Sequence, residues 1–190
     1  MALIHGKDTL VLYNKYDLSG YFKDVNTVMD VEVADTTAFG SSSKSYIVGH
    51  RGGNMSLSGM WDGAANAVDA VLQPSLGNPS SDSVDDGHVM VIPTNTAGQP
   101  VWMMRADTTN YAITTPVADV ASISADFQCS ADGLRSGYLL LANTTNVTAT
   151  GLSSAVDGLA SSSAGAICQL HVTANDLDNT ATIKIQSSTS

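Results

Sequence analysis

Charge is scarce in this chain of 190 residues: Asp, Glu, Lys and Arg together make up 14% of it, well below the quarter usual for folded domains. Basic residues are the scarcest, eight against eighteen acids, for a formal net charge of −10. No Lys/Arg cluster occurs anywhere, which excludes tight nucleic-acid binding, because a phosphate backbone needs a positive patch. Cysteine is limited to Cys129 and Cys168. They lie far apart, each in an apparent strand, and read as buried free thiols rather than a disulfide framework. Apolar runs are short, and none approaches a membrane span. The opening "MALIHGKDTLVLYN" lacks the basic start and long apolar stretch of a signal peptide.

What is present is Ser, Thr, Asn and Gly, which must supply the polar surface that charge does not. Neutral hydroxyls and amides cost less to desolvate than charges, so this composition suits β-proteins whose faces meet other copies. Alternation dominates the pattern. In "VASISADFQCS" the residues Ala121, Ile123, Ala125, Phe127 and Cys129 alternate with Ser122, Ser124, Asp126, Gln128 and Ser130, one buried face and one polar face. Met29, Val31 and Val33, then Leu170 and Val172, then Ala181, Ile183 and Ile185 repeat the pattern. Further strands are expected over residues 9–13, 88–92, 100–106, 111–115 and 137–141, separated by turn signals. The count predicts a mostly-β fold, a two-sheet antiparallel β-sandwich or barrel.

One segment departs from that period. In "WDGAANAVDAVLQPSLG" the apolar residues Ala64, Ala67, Val68, Val71 and Leu72 fall at helical spacing. A single flanking α-helix is expected over about 63–73, capped by Asp62 and ended by Pro74. Two stretches rich in Ser, Gly and Asp, 34–45 and 73–88, read as long loops, either mobile or ordered by a partner. The length fits one domain over 1–190.

The stretch "SYIVGHRGGNMSLSGMWDG", residues 45–63, concentrates a His, an Arg, paired glycines, serines and a Trp. It nevertheless lacks a nucleophile elbow, a phosphate-binding glycine loop and a zinc-ligand spacing. The four histidines are scattered, and Asp85-Asp86 has no calcium-loop periodicity. No catalytic residue, cofactor site or metal site is therefore expected. Architecture accounts for the residues instead: Arg51-Gly52-Gly53 as a turn exposing His50 and Arg51, then a strand through Met55 and Leu57 with Trp61 in the core.

Four segments in order carry a resemblance: Asp17-Leu18-Ser19-Gly20-Tyr21, Thr36-Thr37-Ala38-Phe39-Gly40, Tyr46-Ile47-Val48-Gly49 and Ser56-Leu57-Ser58-Gly59-Met60-Trp61-Asp62. Over residues 17–72 the chain resembles the siphophage major tail, or tail tube, proteins; the C-terminal half is a weaker match. The resemblance implies a non-enzymatic β-sandwich subunit that forms hexameric rings, stacked into a conduit for genome ejection. It implies as partners further copies of the chain and other tail proteins such as the tail terminator, tape measure and tail tip. DNA would pass through the lumen without specific binding, and no membrane would be involved. The expected location is the virion tail, assembled in the host cytoplasm. An acidic lumen that repels phosphates would give the −10 charge a use; the alternative use is solubility before assembly.

Residues for subunit contact are Phe39 and Tyr46, large groups among small polar ones, whose alternative role is to cover the end of the sandwich, and Trp102, beside Met103 and Met104, which fits a core or an adaptable interface. A rival class is a capsid decoration protein or a carbohydrate-binding sandwich. Sugar binding calls for a row of exposed aromatics, and the chain has eleven aromatic residues, mostly in apparent strands.

Overall fold

Alternating apolar residues fold into antiparallel strands. The structure, a computed structural model, describes residues 5–76, 87–130, 133–142 and 167–173. Its strands are β1 (Leu10–Tyr13), β2 (Tyr16–Asp17), β3 (Phe22–Asp35), β4 (Tyr46–Met60), β5 (Gly87–Ile92), β6 (Pro100–Thr114), β7 (Ser122–Cys129) and β8 (Arg135–Tyr138), with one short helix, α1 (Val68–Leu72). Hydrogen bonding links them in the order β2-β1-β5-β6-β7-β4-β3, with β8 also on β6. The mostly-β expectation is met by one continuous antiparallel sheet.

That sheet folds back on itself across β6. The first part of β6 pairs with β5 and β8, and the second part, Ala106 to Thr114, pairs with β7. A register irregularity between Thr108 and Asn110 bends the strand. Three strand spacings would hold β1 and β7 about 14 Å apart in a flat sheet, yet the Tyr13 and Phe127 ring centroids lie 5.8 Å apart. The layers β2-β1-β5-β6 and β6-β7-β4-β3 therefore face each other over one core, which includes Val11, Tyr13, Met55, Leu57, Val89, Val91, Met104, Ile123 and Phe127. Burying a side chain as large as Phe127 contributes about 2–3 kcal/mol. The other face of the first layer holds a second cluster, Leu12, Met90, Ile92, Val101 and Leu139.

Several elements differ from expectation. Residues 100–106 and 111–115 form one strand, because a bulge rather than a turn absorbs the polar Asp107–Asn110. The helix begins at Val68 because Asn66 takes a left-handed φ of 64° and Ala67 is extended. Asp62 accepts from the Ala64 N–H at 2.9 Å in a local turn instead of capping the helix, and Pro74 lies within a further 3₁₀ turn, Gln73–Ser75. The helix packs Val68, Val71 and Leu72 into the core, and Tyr111 Oη donates to Asp69 Oδ1 at 2.5 Å. Burial, then that bond, pushes the Tyr111 hydroxyl pKa up.

Trp61 is not core: it is 38% exposed, with its ring turned back over Gly63. Leu170 and Val172 are exposed and lie outside any described strand. Both cysteines are free, but Cys129 is only half-buried and Cys168 is exposed. The strand expected at Ala181–Ile185 and most of the 73–88 loop lie outside the described residues.

Candidate assembly surface

β3 and β4 are far longer than the other strands of their layer require. Their pairing runs from Phe22 opposite Gly59 to Asp35 opposite Tyr46, whereas β7 covers β4 only from Asn54 to Met60. Beyond Gly53 the two strands leave the body as a two-stranded ribbon. The turn expected at Arg51-Gly52-Gly53 is thus the middle of a strand. Its glycines serve close approach: a Cβ on Gly53 would come within 2.6 Å of Leu134 Cβ, and one on Gly52 would collide with the Asp30 carboxylate.

The ribbon is two-faced. Directly paired residues share a face, so Met29, Val31, Val33, Tyr46 and Val48 continue the side that holds Met55 and Leu57. In the body that side is buried, with Met55 at 0% and Leu57 at 2% exposure; on the ribbon Val33 is 61% and Val48 68% exposed. The opposite side carries Asp30 and Glu32, and Glu32 lies 3.7 Å from His50 in an exposed pair.

The ribbon tip is built, not loose. The Asp35 carboxylate accepts from the Thr37 hydroxyl and from its N–H at 2.9 Å. Thr37 Oγ1 in turn accepts from the Ser45 N–H at 3.0 Å, and Thr36 N–H donates to Ser45 O at 2.8 Å. The Thr37 hydroxyl, then its N–H, holds the Asp35 carboxyl below the usual carboxylate range. Gly40 takes a φ of 86°, a left-handed conformation that glycine adopts without steric cost. The 34–45 stretch is therefore the end of β3 plus a hydrogen-bonded turn.

The body side of the same layer presents a polar face. Across the strands run Asn110, Asp126, Ser56 and Asn26, then Ala112, Ser124, Ser58 and Asp24. Asn110 Nδ2 donates to Asp126 Oδ2 at 2.9 Å, and that bond, then one from Ser56, lowers the Asp126 pKa. Asp107 joins this face opposite Gln128. Among the described residues both edges of the layer are open: no strand pairs with the outer edge of β3. On the free edge of β6 beyond Ala106, the described contact is a single bridge from Leu76 to Thr108.

Of the three residues singled out for contact, Phe39 sits fully exposed at the tip and Tyr46 half-exposed on the apolar side of the ribbon. Trp102 is elsewhere, paired with Val91 and Ser136 and packed on the main core. The sequence reading missed Ile47 and Val48 as surface residues; the available signal was the Met29, Val31 and Val33 alternation on β3, which runs beyond the part of the layer that β7 covers. Among the described residues no group of three metal-ligating side chains gathers, and no helix is long and apolar enough to cross a membrane.

No family model matches the chain, and no curated protein matches it. Solved structures do. The tail tube of SPP1 aligns over 73% of this chain and 81% of its own, with a TM-score of 0.57 at 11% identity. A chain of the sheath–tube complex of the extracellular contractile injection system PVC, in its extended state, aligns over 72% and 93% with 0.54 at 14%. A chain of the gene transfer agent tail, refined helically with C6 symmetry, aligns over 70% and 98% with 0.50 at 16%. The fold is thus tail-tube-like, shared by phage tails and contractile injection systems.

Proposed function

We propose that this chain is a non-enzymatic structural subunit of a bacteriophage tail tube, whose copies join into hexameric rings that stack into a conduit for genome ejection. The observation that carries this reading is the uncovered ribbon. An apolar face continuous with the core, held on a stiff two-stranded arm, is completed by the surface of a second copy.

The open edges supply the ring. Four strands per copy, joined β3 edge to β6 edge around six copies, make a closed wall of about two dozen strands. At usual spacing and tilt that wall is about 50 Å across at the backbone. Its polar face, with Asp24, Asp107 and Asp126 and with small hydroxyls between them, then lines the lumen. Such an acidic lining repels phosphates, so DNA slides. The neighbours include both phage tails and contractile systems; the siphophage assignment rests on the ordered sequence segments. The tail terminator, tape measure and tail tip are the further partners this reading implies, in a virion tail assembled in the host cytoplasm.

Negative-stain microscopy of the purified full chain over a concentration series tests the reading. Six-fold rings or hollow tubes support it. Monomers or trimers that never stack overturn it in favour of a decoration protein or a glycan-binding sandwich.

A further inference from the structure

We propose that His171 is a proton-operated clasp, holding residues 167–173 against the β1–β2 turn when neutral and releasing them when charged. The turn is well defined. Asn14 sits in a left-handed conformation at φ 50°, its N–H donates to His88 O at 2.9 Å, and its Oδ1 accepts from the His88 N–H at 2.8 Å. That arrangement aims the Asn14 carbonyl at the crossing segment, where it meets His171 Nδ1 at 2.7 Å. A carbonyl oxygen only accepts, so Nδ1 carries the proton and Nε2 is the bare nitrogen of a neutral ring.

Nε2 is buried and has no hydrogen-bond partner. A proton added there becomes a charged donor without an acceptor, which burial penalises heavily. The surroundings add to the penalty. The groove at this crossing is lined by Asn14, Lys15, Tyr16 and His88, together with Leu170 and Val172 of the segment itself. Lys15 lies over the Tyr16 ring, 5.4 Å from its centroid. The ionisable groups of this groove are thus a lysine, a second histidine and a tyrosine, of which His88 acts on the His171 ring, and no carboxylate is among its described lining residues. Burial, with His88 adding to it, depresses the His171 pKa, and the bond to Asn14 opposes the shift. The charged ring is accommodated only when the segment lifts into water, and opening is coupled to proton uptake.

Hydrogen exchange of the full chain tests this. Protection of amides in 167–173 is expected to fall at least ~10-fold between about pH 7.5 and about pH 5, while β4 and β7 amides keep theirs. His171→Asn keeps a neutral donor that does not titrate, and the pH dependence should vanish whether or not the shorter side chain still reaches Asn14. His88→Gln removes a neighbouring positive charge and so eases the penalty on a charged His171 in the closed groove; acid opening should weaken and move to lower pH. Protection independent of pH, a fall that His171→Asn retains, or a midpoint that His88→Gln does not lower would each overturn the clasp.

Discussion

Met55 and Val48 lie on one strand and one face, seven residues apart; the first is completely buried and the second mostly exposed. The sequence marks both as apolar residues of strands and does not say which of them is covered. The difference is what lies across: over Met55 the second layer and α1 close a core, while the apolar side of the ribbon runs on beyond it. Alternation therefore reports which side of a strand avoids water. It does not report which chain provides the cover.

The body half of that comparison breaks first. Phe127→Ala removes the ring that bridges the layers and is expected to cost about 3–5 kcal/mol, measured by urea denaturation. Gly59→Val comes next. Any Cβ at Gly59 overlaps the Tyr21 carbonyl oxygen and comes within 2.7 Å of Phe22 Cα, so an overpacking loss of about 1–3 kcal/mol is expected. Tyr111→Phe removes the bond to Asp69 and should lower stability by about 1 kcal/mol, a half-exposed site giving less than a buried charged bond. The ribbon half should respond otherwise. Val33→Ser with Val48→Ser should leave the monomer's stability within about 1 kcal/mol yet abolish ring and tube formation in the microscope. A large loss of monomer stability would instead mean that the ribbon is covered by its own chain.

The finest probe is acid. The Asp35 carboxyl titrates below its unfolded value of 3.8, so its contribution to the tip is fully present above that value and is lost as pH falls through the lowered one. Exchange of the Thr37 and Ser45 amides should rise in that window before the body responds. Tip and body loosening together at a single pH would show that the turn has no independent order.

How much was legible follows the same division. β7 was readable residue by residue, because Ile123, Ala125 and Phe127 face a core and their neighbours do not. β1 and β5 were placed to within a residue, and Phe39 and Tyr46 were singled out on the ribbon. The ribbon itself was hidden by Gly52-Gly53, whose usual meaning is a turn and whose meaning here is space for Asp30 and Leu134. The one-strand nature of β6 was hidden by a polar run that a bulge accommodates. The helix start was missed because Asn66, compatible with helix by composition, holds a positive φ set by the fold. Trp61 was assigned inward by alternation, but β4 ends at Met60 and the period ends with it.

β6 is the strand both layers share, and its ladders run nearly its whole length. Ladder hydrogen bonds lie perpendicular to the strands, so force applied along β6 loads many of them together in shear instead of unzipping them one by one. Tension entering through one layer is handed to the other through a continuous backbone. A subunit built this way is mechanically stiff along its strands and compliant across them, at the open edges.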